Sequence, residues 1–241
     1  MTVYELYLES GPKRRKTMVH VPELLGCVAT GPTTEDALDA TPDAIRAFRR
    51  FLHRHGEAAA GDREDPVDLR VVEHITEGDW LGNGSPYITF RHDLDPLSDA
   101  EIDGYLCRFR WLCDDLADWA ATQSPGHLDV QPAIRGRTAR AILLHVLGSQ
   151  GAYLASALGG APGFSRLHSA AERGEVDLSE ALRRTATMVT ERVRDTTPEE
   201  RAAVRQIPAG PRSLRKAFRR MLEHDWEHLA ELSRRPNGPQ L

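Results

Sequence analysis

The order of hydrophobic and polar positions divides the chain into two parts of different character. In the first part, residues 4–10, 17–21 and 26–30 are rich in β-favouring side chains and are separated by short polar segments, which predicts a meander of three strands. A stripe of apolar residues at helical spacing follows from about residue 34 to residue 55, and it predicts one helix. The chain therefore begins with strands and a helix in close succession.

Three residues define the expected course of this helix. Thr33 or Thr34 is a suitable N-cap, because a threonine hydroxyl can accept a hydrogen bond from a backbone N–H of the first turn. Pro42 stands within the apolar stripe. Because proline has no backbone N–H to donate, we expect Pro42 to kink or restart the helix.

A polar connector at residues 56–66 separates this helix from two further predicted strands. Residues 67–75 (VDLRVVEHI) and residues 85–94 (SPYITFRHDL) both combine β-branched or aromatic side chains with polar neighbours, which is typical of strands. The first part is therefore predicted to be a small α+β module, with one helix on a small antiparallel sheet.

From residue 98 onward, apolar residues recur every three or four positions, which predicts four helices. The first begins at Ser98, which forms a capping box with Glu101. The second covers about residues 138–158 and ends at a glycine-rich GGAPG segment. The third and fourth begin near Ser179 and Ser213, and four helices of this length are typical of a four-helix bundle.

The change of pattern near Pro96 predicts a boundary between two domains. Residues 1–96 are expected to form the α+β module, and residues 97–241 the all-α bundle. Two loops of the bundle, residues 124–137 and residues 195–212, are long enough to cross from one of its ends to the other.

Net charge excludes one large class of partners. The chain has 31 Lys and Arg against 36 Asp and Glu, a net charge of -5 and a pI near 6.1, whereas nucleic-acid-binding proteins carry a basic excess on one face. The dense basic cluster KRRK at residues 13–16 lies between two predicted strands and is interpreted as a solvated hairpin turn. We therefore expect no nucleic-acid partner.

The N-terminus and the apolar segments indicate a cytoplasmic protein with no membrane partner. Residues 1–10 lack the basic, apolar and small-residue regions of a signal peptide. The longest uncharged apolar run, residues 141–147 with a histidine inside it, is far too short to cross a bilayer. The 3 cysteines have unrelated spacings, so they form neither a disulfide framework nor a zinc knuckle.

The strongest candidate for chemistry is RRMLEHDWEHLAEL, residues 219–232. His224 and His228 are four residues apart in a predicted helix, so their imidazoles project side by side and can bind one metal ion. A pair with this spacing also occurs by chance in solvated helices. Here the pair runs along the edge of an apolar stripe that consists of Leu214, Phe218, Met221, Leu222, Leu229 and Leu232. We therefore expect the pair to face the bundle.

His145 is the candidate for a third ligand, because a catalytic zinc ion takes three protein ligands and keeps one position open. It lies in the most apolar helix of the chain, where a buried neutral imidazole needs a partner for each ring nitrogen. A lone histidine on an apolar face is otherwise most simply a satisfied core residue. Other histidines fit less well, since they lie on the N-terminal module or in loop-like segments: His53, His55, His127 and His168.

The same segment also matches a metalloprotease pattern. HDWEH at residues 224–228 reads as H-x-x-E-H, in which Glu227 would be the general base. That pattern needs a further ligand from well downstream, and the only carboxylate side chain after residue 228 is that of Glu231. In a bundle, Asp225 is instead a candidate to orient a ligating imidazole, and Glu227 and Glu231 are most simply solvated.

With these residues in view, residues 98–235 resemble the DinB-like (YfiT-like) metal-binding four-helix bundles. LLHVLGSQGAYLASAL is similar to the second helix of that family, and LEHDWEHLAEL to its fourth. The resemblance implies that His145, His224 and His228 hold a divalent ion, zinc first, with nickel or iron as alternatives. It also implies an enzyme that uses a low-molecular-weight bacterial thiol such as mycothiol. Gln150 lies where relatives often have an acidic residue, which leaves the substrate contacts open.

Residues 1–55 separately resemble the HicB-like antitoxin fold, through VHVPELLGCVATGPTTEDALDATPDAIRAF. Leu25 is an extra residue relative to that pattern, and Pro42 interrupts its helix. HicB proteins neutralise a small toxin and often carry a DNA-binding element, but no such element follows here and the net charge does not favour one. The resemblance implies an interaction or dimerisation module, so a homodimer is one expected assembly.

Together, the pattern and the resemblances predict a two-domain metalloprotein that acts on a small-molecule substrate. The favoured reaction is thiol S-transfer or thiol-dependent isomerisation, in which an ion bound by three histidines activates a thiolate. Hydrolysis by metal-bound water would use the same ligands. The alternative from another class is a non-enzymatic regulatory protein, with a HicB-like interaction module and a metal-stabilised bundle.

Overall fold

The first part of the protein is a four-stranded sheet. The computed structural model describes residues 2–57, 67–132 and 136–241. Its strands are β1 (Thr2–Ser10), β2 (Thr17–His20), β3 (Val28–Gly31) and β4 (Val67–Ile75), in the order β3-β2-β1-β4. β1, β2 and β3 pair antiparallel, which confirms the predicted meander. β4 lies parallel to β1, so the sheet is mixed rather than purely antiparallel, because a helical connection returns the chain to the same end of the sheet.

Helix α1, Thr34–Arg54, packs across one face of this sheet. Thr33 is its N-cap and accepts a hydrogen bond of 3.1 Å from a backbone N–H of the first turn, as predicted for one of two threonines. The helix continues through Pro42, so it does not restart there, and the kink that was the alternative stays a prediction. Ile45 and Phe48 are fully buried against the sheet, and this packing outweighs the one hydrogen bond that a proline removes.

The strand predicted at residues 85–94 is wrong. This segment is irregular and ends in a 3-10 turn at Arg91–Leu94. Its apolar side chains belong to a small separate core formed by Tyr7, Leu81, Ile88 and Phe90. Alternating burial of this kind arises in irregular segments as well as in strands, so periodicity does not distinguish the two. Of the predicted polar connector before β4, residues 58–66 lie outside the described residues.

The second part contains the predicted four-helix bundle. Its helices are α2 (Asp99–Thr122), α3 (Pro125–Leu128), α4 (Ala139–Leu158), α5 (Phe164–Glu172), α6 (Leu178–Arg194), α7 (Pro198–Ala202) and α8 (Leu214–Ser233). The four long helices form a ring in which α2 and α4 each contact both α6 and α8. This arrangement confirms the predicted fold class, an α+β module followed by a helical bundle.

The helix caps follow the sequence signals with one shift. Ser98 and Glu101 form the predicted capping box at the start of α2. Thr138 and Ser213 cap α4 and α8. α6 begins one residue before the predicted Ser179, because the carboxylate of Asp177 accepts the capping hydrogen bond.

The connections between the long helices contain short helices that were not predicted. α3 and α7 lie in the two long loops, and α5 lies between α4 and α6. His127 is therefore in α3 and His168 in α5, and their prediction as loop residues is wrong. Short helices escape a periodicity analysis because one or two turns carry few apolar positions. Residues 133–135 of the first loop lie outside the described residues.

Helix α8 is buried on nearly all sides, because the N-terminal module covers the face that the bundle leaves open. On that face Trp226 packs against Phe48 and Phe51 of α1, with ring centroids 5.0 and 5.3 Å apart. The apolar side chains of both parts form one continuous core. The boundary near Pro96 thus separates two patterns of secondary structure around a shared core, and it stays a prediction as a domain boundary.

A buried network of charged side chains also joins α8 to the first part. Arg219 donates to both carboxylate oxygens of Asp93, at 2.7 and 2.9 Å. Glu223 lies 2.8 Å from Nδ1 of His20 and accepts a hydrogen bond of 2.8 Å from Arg220. These five side chains are at most 2% exposed, so each relies on its partners rather than on water. The charges of this helix are therefore mostly interior.

Helix α4 is long and apolar enough to cross a membrane, and it is the one helix of this kind among the described residues. A single such helix is weak support for a membrane span, because the core helix of a bundle has the same composition. Here α4 packs against α5, α6 and α8. The cytoplasmic location stays a prediction.

Candidate metal centre

His145, His224 and His228 lie together where α4 faces α8. One ring nitrogen of each lies within 4.8 Å of those of the other two. The Nε2 atoms of His145 and His224 are 3.0 Å apart. The ring planes are inclined to one another by 61° to 82°, so the rings do not stack. The structure therefore brings together the three residues that the sequence predicted, and they are called the histidine cluster below.

Local structure explains this convergence. Ser213 fixes the start of α8 by accepting a hydrogen bond of 3.0 Å from the third backbone N–H after it, and the i, i+4 spacing then directs both α8 imidazoles to one side. On α4, the neighbours of His145 one turn later are the small residues Gly148 and Ser149. A side chain at Gly148 would come within 3.1 Å of His168 on α5. The space beside the histidine cluster is thus left open by small residues.

The three imidazoles differ in exposure. His224 and His228 are buried, at 7 and 8% exposed, whereas His145 is exposed. The sequence predicted a buried His145, and this is wrong because the outer side of α4 borders a cleft. That cleft of about 350 Å³ is lined by Leu144, His145, Gly148, Ser149, Ala152, His168 and Glu172. The histidine cluster is therefore closed by protein on one side and open to solvent on the other.

Desolvation favours the neutral form of two of the imidazoles. It lowers the pKa of His145 to about 4, and the positive charge of Arg137 adds to this effect. Burial lowers the pKa of His224 well below its usual range. A neutral imidazole has a lone pair available for a metal ion, so these two side chains are ready ligands at neutral pH.

The donor set fits a divalent metal ion. Zinc binds imidazole nitrogens at about 2.0–2.1 Å, which places two ligand nitrogens of a tetrahedral site roughly 3.3 Å apart. The 3.0 Å between Nε2 of His145 and Nε2 of His224 is close to that separation. The buried Nδ1 of His224 has no hydrogen-bond partner within the described part of the chain. Three nitrogen donors with one open side are the set that catalytic zinc sites use.

Comparison with known families identifies the bundle. A family model described as the DinB superfamily matches residues 108–232, which run from within α2 to the last turn of α8 and include the whole histidine cluster. The chain belongs to the DinB superfamily. No curated protein and no solved structure matches it. The sheet and α1 lie outside the matched residues, so the HicB-like resemblance stays a prediction.

In this DinB bundle, Glu231 orients one of the clustered histidines. Its carboxylate accepts a hydrogen bond of 2.8 Å from Nδ1 of His228, which leaves Nε2 free for a ligand. This hydrogen bond also lowers the pKa of Glu231, and Arg235 donates to the same carboxylate at 3.2 Å. The prediction of a simply solvated Glu231 is therefore wrong. The available signal was its position three residues after His228, since such pairs meet on a helix.

Asp225, the residue predicted to orient an imidazole, lies near His224 without a hydrogen bond to it. Its Oδ2 accepts a hydrogen bond of 2.7 Å from Gln150, and its Oδ1 is 3.7 Å from Nδ1 of His224. Neither of these last two atoms has a hydrogen-bond partner among the residues described. Burial raises the pKa of Asp225 well above its usual range. Its orienting role stays a prediction, since a movement of under about 1 Å would form the bond.

Glu227 lies on the side of α8 that faces the sheet. Burial raises its pKa to about 7, and the charges that act on it include those of Arg220, Glu223, His20 and Lys16. It is partly buried, so its prediction as a simply solvated residue is wrong. The metalloprotease pattern needs this carboxylate beside the metal ion, and its placement does not favour that interpretation.

Proposed function

We propose that the chain is a metal-dependent enzyme in which His145, His224 and His228 hold one divalent ion, most simply zinc. The observation that carries the proposal is the convergence of three imidazoles, two of them buried, at a cleft that is open to solvent. The favoured reaction is thiol S-transfer or thiol-dependent isomerisation with a low-molecular-weight bacterial thiol. The thiol follows from the family resemblance, and hydrolysis by metal-bound water would use the same three ligands.

The residues of the cluster have separate roles in this proposal. A divalent ion held there would lower the pKa of a bound thiol or water and so supply a nucleophile at neutral pH. Glu231 holds His228 in the tautomer whose Nε2 faces the cluster. The packed interior behind His224 excludes water, and the exposed side of His145 admits substrate from the cleft.

His168 forms part of the wall of the cleft. It lines the same cleft as His145, and its Nε2 lies 3.3 Å from the carbonyl oxygen of Leu144. Its Nδ1 lies 3.6 Å from the carboxylate of Glu172. Both ring nitrogens therefore face acceptors of the protein, and these contacts hold the imidazole against the wall of the cleft.

For the N-terminal module we propose an interaction role, in line with its HicB-like resemblance. β3 and β4 are the two edges of the described sheet, and an edge strand can pair with a strand of another chain. A partner protein or a second copy of this chain would dock there. The same role supports a second candidate function, a regulatory protein whose bundle is stabilised by metal.

Metal content tests the proposed function first. The full chain, purified without chelator, is expected to contain a single divalent ion, and His145→Ala and His224→Ala are expected to lose it. His127→Ala, on α3 outside the histidine cluster, is the matched control and should keep the ion. A folded wild-type chain that takes up no zinc, nickel or iron on reconstitution would remove the enzyme hypothesis.

Turnover then separates the candidate reactions. An electrophilic bimane is incubated with the metal-loaded chain and a panel of bacterial thiols, and formation of the thioether is followed by fluorescence. Metal-dependent adduct formation with one thiol, absent in His145→Ala, supports thiol transfer. If the metal-loaded chain forms no adduct with any thiol, the result argues against thiol transfer and favours hydrolysis or the regulatory role.

A further inference from the structure

A second pocket lies beside the histidine cluster, between α4, α8 and the segment that precedes α8. Its volume is about 280 Å³. One wall carries three cationic side chains, and the opposite wall belongs to α4; the polar lining consists of Arg212, Lys216, Arg220, Ser149, Tyr153 and Ser156. No acidic side chain lines it among the described residues. This pocket, called the cationic pocket below, is therefore lined by basic side chains without an acidic one.

Two of its cations are buried with neutral partners only. Lys216 and Arg212 are 2 and 7% exposed. Lys216 donates to the hydroxyl of Thr89 at 2.8 Å and to the carbonyl oxygen of Pro211 at 3.3 Å. Arg212 donates to the carbonyl oxygens of Gly210 and Pro211, at 3.1 and 3.0 Å. Within the described ranges, neither cation forms an ion pair.

Two neighbouring cations on α8, in contrast, have carboxylate partners. Arg219 is paired with Asp93 and Glu223, and Arg220 donates to Glu223 at 2.8 Å. Even so, the buried Nε of Arg220 has no hydrogen-bond partner in the described part of the chain. Burial and the nearby arginines lower the pKa of Lys216 to about 7. A buried cation without a counter-charge destabilises the fold, and a bound anion would remove that cost.

The cationic pocket is adjacent to the cleft beside the histidine cluster. Ser149 and Ala152 line both of them. The ring of Tyr153 lies 5.9 Å from that of His224, and the guanidinium of Arg220 lies 5.6 Å from the same tyrosine ring. Arg220 and His224 are also one helical turn apart on α8. A ligand in the cationic pocket would therefore lie close to the histidine cluster.

We propose that the cationic pocket binds the carboxylate or phosphate group of a small substrate and so holds the reacting part of that substrate at the histidine cluster. An anion there accepts charge-assisted hydrogen bonds from Lys216 and Arg212, which are about twice as strong as neutral ones. The hydroxyls of Ser149 and Tyr153 lie on the same walls. The role of the anion in the reaction rests on the proposed function, whereas its binding does not.

Calorimetric titration of the full chain with inorganic phosphate and with succinate tests the inference. Both anions are titrated into the wild type and into His145→Ala, so that binding by the pocket is distinguished from binding by a metal ion. Saturable binding of one anion is expected in both proteins. The anion that binds more tightly identifies the group as a phosphate or a carboxylate.

Variants of the pocket locate the bound anion. Arg212→Gln and Lys216→Met each remove one pocket cation, and Ser156→Phe fills the pocket without changing its charge. Arg212→Gln and Lys216→Met are each expected to weaken binding at least about tenfold, the effect of losing one charge-assisted hydrogen bond. Ser156→Phe is expected to weaken binding at least as much, because its ring would occupy the space of the anion. Arg205→Gln removes a positive charge from an exposed position of the same segment and should bind within about twofold of the wild type, because exposed charges are screened.

The inference is overturned if neither anion binds saturably to the folded wild type, or if Arg205→Gln weakens binding as much as Arg212→Gln. Melting curves establish that each variant is folded, and Arg212→Gln with Ser156→Phe decides the matter if Lys216→Met does not fold. A chain that binds an anion but takes up no metal loses the proposed function and keeps the anion site. A chain that takes up metal but binds no anion keeps the proposed function and loses the anion site.

Discussion

Two buried polar clusters lie on different sides of helix α8, and they differ in how their groups are paired. Toward the sheet, Arg219 and Glu223 alternate with Asp93 and His20, so that each charge lies beside an opposite one or a hydrogen-bond partner. Toward α4, the histidine cluster brings together three groups of the same kind, with 3.0 Å between two ring nitrogens. The first cluster supplies its own counter-charges, and the histidine cluster contains none.

The comparison distinguishes structural polar groups from candidate functional ones. A closed network of opposite charges offsets the cost of its own burial, so its expected contribution is to stability. Nitrogen lone pairs that converge repel one another unless a proton or a cation lies between them. A cluster of this second kind, at an open cleft, is therefore the place where binding is expected.

Removal of residues 1–96 is expected to have the largest effect, because it removes the partners of the sheet-side network. It exposes Trp226 and leaves Arg219 and Glu223 without their partners on the first part of the chain. We expect residues 97–241 not to fold cooperatively, because the lost contacts rival the whole net stability of a domain, about 5–15 kcal/mol. Melting followed by circular dichroism measures this. A cooperative transition in the shorter chain would instead establish the bundle as an independent domain.

Glu223→Gln is the sharpest single change in the sheet-side network. It leaves two buried arginines short of a counter-charge, and breaking such a pair costs about 3–5 kcal/mol of unfolding free energy. Urea denaturation measures the loss, and metal content per folded chain should be unchanged. His224→Ala is the counterpart on the other side and should lose the metal with little change in the stability of the metal-free chain. If both variants lost both stability and metal, the sheet-side network and the histidine cluster would not have separate roles.

Acid should weaken the same network in a defined pH window. Burial alone would raise the pKa of Glu223, but His20 and Arg219 lower it from 4.5 to about 2. Because the folded-state pKa is the lower one, the ionised carboxylate stabilises the fold above pH 4.5. This stability, up to about 3 kcal/mol, is lost as the pH falls from about 4.5 to about 2. Urea denaturation across this range should show a smaller loss in Glu223→Gln than in the wild type, because other carboxylates with a lowered pKa, such as Glu101, still titrate in the variant.

Glu231→Gln tests the support of the histidine cluster. The neutral amide weakens the hydrogen bond that fixes His228, and changes to such supporting groups typically weaken metal affinity about 10–100-fold. Competition with a chromogenic chelator measures the affinity. Glu191→Gln, at an exposed position of α6, is the control and should match the wild type. An unchanged affinity in Glu231→Gln would mean that this carboxylate does not orient the imidazole.

Asp225→Asn should have the smallest effect. The side chain keeps its shape, and its Oδ1 lies 3.7 Å from Nδ1 of His224 without a hydrogen bond. We therefore expect metal affinity to fall less than about tenfold, as measured by the same chelator competition. A larger loss than in Glu231→Gln would show that metal binding draws Asp225 onto His224, as the sequence predicted.

Local signals in the sequence predicted those elements whose cause is local. Ser98 caps α2 as predicted, and α4 and α8 begin directly after Thr138 and Ser213, near their predicted starts, because a cap depends on the next few backbone N–H groups alone. The direction of β4 and the irregular course of residues 85–94 were not predicted, because both depend on partners far away in the sequence. The continuation of α1 through Pro42 likewise depends on distant partners, because packing against the sheet outweighs the local tendency of proline to end a helix.

For the candidate site, the sequence by itself determined that His224 and His228 share one side of a helix, because helical spacing places i and i+4 together. It offered His145 as the candidate for a third ligand. Only the tertiary structure decided that His145 is exposed, that Glu231 bonds an imidazole, and that Arg212 and Lys216 meet in one pocket. Exposure and charge compensation depend on what packs against each face of α8, and the sheet, α1 and α4 come from distant parts of the chain. The helix that reads as charged and solvated is therefore an interior one.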